Sequence, residues 1–243
     1  MNLPVAMWSG PRNISTAMMR AWENRSDCTV LDEPFYGYYL QHTGIDHPGA
    51  ADVIEAQGSE WQTAIDKCLA SPAEGKPVFY QKHMTLHLLD EVPRGWLSKL
   101  NNCFLIREPE AVISSYAAVR ADVNAADIGF LQQVALYNYM SEMTGEDPLV
   151  IDSKAFLRQP ESHLRAWCDH LGIAFEGSML SWPEGARDTD GVWARHWYDA
   201  VYQSTSFSLP GSGELCLDVH QQALADAMRP HYEYLFERRL VPA

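Results

Sequence analysis

VAMWSGPRNISTAMMRAW, residues 5–22, is the stretch on which the reading of this chain turns. An apolar run ends in a Gly-Pro turn and Arg12 follows. Ile14, Ala17, Met18, Ala21 and Trp22 then fall at i, i+3, i+4, i+7 and i+8, the spacing of an amphipathic helix. A strand that turns at once into a helix leaves the amides of Asn13 to Thr16 as first-turn donors without intrahelical acceptors. Together with the helix dipole they form a site for an anion. Arg12 adds a planar fork of donors, and Ser15 and Thr16 add hydroxyls. In triphosphate-binding loops a Gly-Lys-Ser/Thr run stands here, the lysine reaching the terminal phosphates and the hydroxyl holding magnesium. This chain has Asn13 and Ile14 where glycine and lysine would be. The same residues also suit an ordinary helix start, since Ser, Asn and Gly are all good capping types, so a second motif has to decide.

Working outward, five short apolar runs alternate with helical patterns: LPVAMW (3–8), CTVL (28–31), PVFYQ (77–81), CFLI (103–106) and PLVI (148–151). Runs this apolar, without strict alternation, suit strands buried on both faces. Trp61, Ala64, Ile65, Cys68 and Leu69 repeat the helical spacing between two of them. The expected fold is therefore α/β, a three-layer parallel β-sheet with helices on both faces, of the P-loop nucleotide-binding type. A later helix is expected from Pro160 and Glu161, burying Leu164, Trp167, Cys168 and Leu171 and stopping at Gly172. Residues 172–217, around GVWARHWY, lack periodicity and read as a long ordered loop, which in a compact domain is usually functional. A final helix over 218–239 is expected to bend at Pro230. There is no internal repeat and no low-complexity segment.

With 243 residues and 47% hydrophobic composition the chain can bury one sizeable core, and 1–243 is expected to be a single domain. Its formal charge of −14 argues against nucleic-acid and anionic-membrane partners, which select basic faces. An anionic ligand must then be held by a local cluster of arginines and amides. Five cysteines with no C-x-x-C pair fit a reduced compartment. With no basic leader and no apolar run near the ~20 residues that span a bilayer, a cytoplasmic, soluble protein is expected. The sequence does not fix the oligomeric state.

FLIREPEAVISSY (104–116) is the second motif. Arg107 ends the fourth strand, Pro109 sits where a helix would begin, and Ser115 lies one to two turns into it. At ~1.5 Å rise per residue both side chains can reach one phosphate. Ligands of open α/β sheets bind beyond the carboxyl ends of the strands, where the first loop also lies. Two anion subsites on one edge imply one ligand with two separated phosphates.

These motifs resemble those of the sulfotransferases that use 3′-phosphoadenosine 5′-phosphosulfate (PAPS). SGPRNIST resembles the family's 5′-phosphosulfate loop, and REPEAVISSY its 3′-phosphate motif, an arginine with a serine eight residues on. YQKHMTLHLL (80–89) resembles the segment that carries the catalytic histidine of the cytosolic members, which maps to His83. GVWARHWY (191–198) resembles the carboxyl-terminal cofactor segment. Arg12, where many cytosolic members have lysine, is closer to the Golgi and bacterial branches. Gln81 replaces a lysine of the cytosolic pattern, and Thr189 and Asp190 stand where an Arg-Lys pair precedes the glycine.

The resemblance implies an enzyme that transfers a sulfuryl group in line from PAPS to a hydroxyl or amine of a small-molecule acceptor, with no metal required. Gly10, Pro11, Arg12, Asn13, Ile14, Ser15 and Thr16 would face the 5′ end and the leaving phosphate. Arg107 and Ser115 would take the 3′-phosphate, and Trp193 and Arg195 would complete the cofactor site. Arg12, Glu33 and His83 are the implied catalytic residues. Glu33, in LDEPFYGYYL, resembles the glutamate base of the tyrosyl-protein and heparan branches and is preferred to His83 because the first loop resembles the branch that uses glutamate. Each also has an ordinary reading, Glu33 as a helix cap or ion-pair partner and His83 as a core or surface residue. Lys82 either contacts a phosphosulfate oxygen or points to solvent, and Arg20 and Arg120 suit helix surfaces as well as the site. The rings of PFYGYYL with Trp193, Trp197, Tyr198 and Tyr202 offer walls for the acceptor. Two other readings stay open: a P-loop kinase or hydrolase using the aspartate of LVID (149–152), and a non-catalytic nucleotide-binding descendant. A pyridoxal-phosphate enzyme is more distant, because no lysine sits in a recognisable context.

Overall fold

Among the described residues, five strands form one parallel sheet in the order β2-β3-β1-β4-β5. They are β1 (Leu3–Ser9), β2 (Cys28–Asp32), β3 (Val78–Met84), β4 (Asn101–Ile106) and β5 (Leu149–Asp152). This computed structural model describes residues 2–72, 75–118, 123–209 and 215–242. β1 is central because it is apolar towards both faces: Leu3 to Ser9 pair with Val78 to Met84 on one side, and Val5 to Ser9 with Asn101 to Leu105 on the other. Ala6 and Trp8 enter one core with Phe104, Trp96, Tyr137 and Met228. Val5 and Met7 enter a second core with Met18, Trp22, Tyr80 and Trp167. Two cores on two faces of one sheet make the expected three layers.

Helices α1 (Ser15–Glu23), α2 (Tyr36–Thr43), α3 (Ala50–Gln57) and α4 (Trp61–Cys68) precede β3, and α5 (Pro109–Ala117), α6 (Ala125–Ile128) and α7 (Phe130–Thr144) separate β4 from β5. After β5 come α8 (Ser153–Arg158), α9 (Pro160–His170), α10 (Ala194–Trp197), α11 (Asp199–Tyr202) and α12 (Val219–Phe236). As the sequence predicts, Pro160 opens α9, and Gly172 beyond its end takes φ +69°, a conformation open to glycine without a Cβ clash. In α12, a box of Asp218 and Gln221 satisfies the first turn and Pro230 lies inside the helix. Among the described residues no helix is long and apolar enough to cross a membrane.

The segment after α9 has more structure than its composition predicts. Besides α10 and α11 it contains a 3-10 turn at Gly177–Leu180, and Trp182 N–H donates to Thr205 O at 2.9 Å to close it on itself. Arg20 holds this strap to α1. Its guanidinium is buried and lies 2.6 Å from Asp190 and 3.4 Å from Glu23. The expectation of Arg20 on a helix surface is corrected: the polar position of an amphipathic helix is covered by a distant segment that brings its own carboxylate. Arg120 lies outside the described residues.

β1 carries chain to one side of the sheet through β2 and β3, and the path then crosses to β4 and β5 on the other. The carboxyl end of β1 is thus the switch point at which such sheets bind ligands.

Candidate active site

The loop after β1 is held in one shape by its own side chains. Asn13 donates to Leu105 O at 3.1 Å and accepts from Ile14 N–H at 2.8 Å. Met18 N–H donates to Ile14 O, so the amides of Ser15 to Ala17 lie ahead of that bond, beside a cavity. Arg12 adopts φ +56°, in the left-handed region that an L residue enters at a cost of roughly 1–2 kcal/mol. That turn sends its side chain across to α5, where Nε donates to Ser115 Oγ at 3.0 Å. Arg107, at the end of β4, donates through Nη1 to Arg12 O. The two anion motifs therefore meet on one edge. Burial, and then the neighbouring Arg12 charge, push the Arg107 guanidinium below its ordinary value.

The cavity has a volume of about 370 Å³. Pro11 to Ala17, Arg107 and Ser115 line it, and so do Glu33, Lys82, His87, Tyr36, Tyr39, Trp197 and Tyr198. Glu33 follows β2 directly, with φ +41° and a mostly buried side chain. Its backbone is pinned by N–H donation to Lys82 O at 2.9 Å and by Gln57 Nε2 donating to its carbonyl at 3.0 Å. Its carboxylate binds Lys82 Nζ through Oε1, and His87 Nδ1 lies 3.7 Å from Oε2. Burial raises the Glu33 carboxyl above the ordinary carboxylate range; Lys82 opposes that and Asp32 adds to it. Lys82 is buried, not solvent-facing, and burial disfavours its charge, yet Asp32, Glu33 and Tyr198 outweigh burial and hold it protonated.

His83 is a correction. Tyr80 and Lys82 lie on the face of β3 turned to the cavity side, and the next residue of a strand points the other way. His83 is buried among Trp8, Phe35 and Trp96, stacked on Trp8 at 4.2 Å, with Nε2 3.2 Å from Gln81 Oε1. Burial pushes its imidazole down to about 3. It cannot reach the cavity as a base. Gln81, on the same far face, donates to Cys68 O at 2.7 Å.

Three further expectations change. A Cβ on Gly10 would come within 2.9 Å of Ile128 O, so Gly10 permits a close backbone approach and does not line the cavity. Trp193 is buried behind the wall, donating to Tyr198 OH at 3.2 Å and packing edge-on against Tyr36. Arg195 is well exposed and is drawn to Asp52 and His196. The GVWARHWY segment reaches the cavity through Trp197 and Tyr198 instead. His87 and His47 line it too, and sequence reasoning missed both; His87 stacks between Tyr36 at 4.6 Å and Tyr39 at 4.7 Å. Continuing the β3 alternation past Lys82 and Met84 is the signal that leads to this turn. Asp152 of LVID caps α8, accepting from Ala155 N–H at 2.8 Å and Tyr232 OH at 3.0 Å, and lies off the cavity wall. Among the described residues no group of three or more His, Cys, Asp or Glu has the geometry to hold a metal ion.

A family model described as a sulfotransferase domain matches residues 3–239. The chain belongs to the sulfotransferase family. Two proteins of Arabidopsis thaliana, branched-chain-amino-acid aminotransferase-like proteins 2 and 1, are 31% and 33% identical to this chain over 94% of its length. The chain spans 40% of the length of each, so their names describe much longer proteins. Among solved structures, a sulfotransferase from Alicyclobacillus acidocaldarius superposes with a TM-score of 0.54 at 13% identity, covering 99% of this chain and 98% of that one. The sulfotransferase domain from the curacin biosynthetic pathway gives 0.52 at 13%, covering 94% and 98%. At such identity the likeness concerns the fold.

Proposed function

We propose that this sulfotransferase uses PAPS as donor and a hydroxyl or amine of a small molecule as acceptor. The observation that carries the reading is the 3.0 Å bond from Arg12 to Ser115, which joins two anion motifs 103 positions apart at one cavity. The donor set fits a nucleotide with two separated phosphates. Arg107 and Ser115 would hold the 3′-phosphate, and Arg12 with the amides of Ser15 to Ala17 the 5′ end. Two guanidiniums side by side, one depressed partly by the other, gain most from an anion between them. When bound, the nucleotide supplies the sulfuryl group and a leaving phosphate.

In this reading the chain's own residues do the rest. Arg12 and the loop amides stabilise charge at the 5′ end from fixed positions, which avoids reorganisation during the reaction. Glu33 takes the acceptor proton on its carboxylate, and burial makes it a stronger base than an exposed glutamate. Tyr36, Tyr39 and Trp197 wall the acceptor side and exclude water. The five cysteines are unpaired, in keeping with a reducing compartment such as the cytoplasm.

Thermal shift tests the donor. Adenosine 3′,5′-bisphosphate at 100 times its dissociation constant should add about 2.7 kcal/mol of stability. ATP with magnesium should add little. A larger shift with ATP and magnesium than with the bisphosphate would overturn the proposal in favour of a kinase or hydrolase.

A further inference from the structure

Four buried side chains from three segments meet at the back of the cavity: Asp32 at the end of β2, Glu33 after it, Lys82 of β3, and Tyr198 between α10 and α11. The Lys82 ammonium has three protons to donate. One goes to Asp32 Oδ1 at 3.0 Å, one to Tyr198 OH at 2.6 Å and one to Glu33 Oε1. Tyr198 passes its own proton to Asp32 Oδ2 at 2.6 Å and accepts from Trp193 Nε1 at 3.2 Å. Gly191 N–H points to the same Asp32 oxygen at 3.5 Å. Glu33 and Tyr198 line the cavity, whereas Asp32 stands behind them.

The stoichiometry of charge matters here: one ammonium faces two carboxylates. A lysine whose sole partner was Glu33 would stabilise that carboxylate strongly and make it a poor proton acceptor. A second carboxylate and a phenol on the same ammonium divide its attraction. They also keep Nζ fixed, since every donor has an acceptor and no rotation improves the set.

We propose that Asp32 and Tyr198 are positioning residues for the proton transfer, holding the Lys82 ammonium between them so that Glu33 stays basic enough to take the acceptor's proton. The inference rests on Glu33 being the base. In that step the acceptor O–H (or N–H) bond breaks and its proton goes to the Glu33 carboxylate; its electron pair would form the new bond to sulfur while the bond from sulfur to the 5′-phosphate oxygen breaks, leaving that pair on the phosphate oxygen. Lys82 would then serve the base and not a sulfuryl oxygen.

The groups facing Glu33 are Lys82 from β3, Asp32 from β2, Tyr36 from α2 and His87 from the turn after β3. Burial first, and then the Lys82 charge among its neighbours, hold His87 neutral, so it adds no competing charge near neutral pH.

The test is the pH dependence of kcat/KM for the wild type, Asp32→Asn, Tyr198→Phe and Glu33→Gln, measured on the folded full chain with PAPS and a phenol or alcohol acceptor that the wild type turns over. Glu33 works when ionised, so the rate rises through its pKa. Removing the Asp32 charge favours that ionised form. The acidic limb of Asp32→Asn should therefore move to lower pH by about one unit or more, with a lower plateau. Tyr198→Phe frees one Lys82 proton to lean on Glu33 and should move the limb the same way by less. It removes a single oxygen, so it keeps the test open if Asp32→Asn does not fold. A lower plateau with an unmoved limb in both variants, while Glu33→Gln is inactive, overturns the inference and leaves Glu33 as base. Glu33→Gln with wild-type rate and limb overturns the base assignment and the inference with it.

Discussion

Changing His83 to phenylalanine should leave the proposed sulfotransfer intact and make the fold less sensitive to acid. The buried imidazole titrates near 3 in the native protein, against about 6.5 in an unfolded chain. Its folded-state value is depressed, so the stability it permits is present above about pH 6.5 and is lost as pH falls towards 3, where the unfolded chain binds a proton that the native state refuses. At about 1.4 kcal/mol per pH unit, going from pH 6.5 to 5 removes about 2 kcal/mol. Phenylalanine keeps a ring against Trp8 but leaves Gln81 Oε1 without its partner, a fixed cost of roughly 1–3 kcal/mol that cancels when two pH values are compared. His87 is also held neutral by burial; it contributes to both proteins alike. Urea midpoints at pH 7.5 and pH 5 measure the difference: the wild type should lose about 2 kcal/mol more than the variant. Activity per folded molecule should persist, because the ring faces Phe35 and Trp96 across the sheet from the cavity. An equal acid loss in both proteins, or a folded but inactive variant, would refute the placement of His83.

Arg107→Ala removes a charged donor from the proposed 3′-phosphate subsite and the tie to Arg12 O; at roughly 3 kcal/mol, the bisphosphate stabilisation of about 2.7 kcal/mol falls below ~0.5, as read by thermal shift. Asp190→Ala leaves a buried guanidinium with Glu23 alone at 3.4 Å, which should cost about 3 kcal/mol in urea unfolding and expose residues 183–205 to proteolysis. Gly10→Ala sets a methyl 2.9 Å from a backbone carbonyl; a loss of about 1–3 kcal/mol is expected in the thermal midpoint.

The strands were legible because parallel strands covered on both faces must be apolar throughout, and the ends of the five runs fall within three residues of the ends of the observed strands. The same property hid the facing of β3. In VFYQKHM polar residues occupy both faces, and a one-residue shift exchanges Lys82 for His83 at the cavity. Arg107 and Ser115 could be read because strand end and helix start fix their spacing locally. Arg20 could not, since its partner Asp190 lies 170 positions away in a segment with no period. Trp193 and Arg195 failed for that reason too: with only two four-residue helices around them, no repeat tells which side chain turns inward.

Arg12 occupies a left-handed turn that glycine would enter freely. A screen that rewards heat tolerance alone should therefore favour Arg12→Gly, the more so because it also removes one of two neighbouring cations. The survivors would be hardier proteins with a weakened grip on the anion that we propose this loop holds. Any campaign to toughen this protein should hold codon 12 fixed and look for its gains away from the mouth of β1.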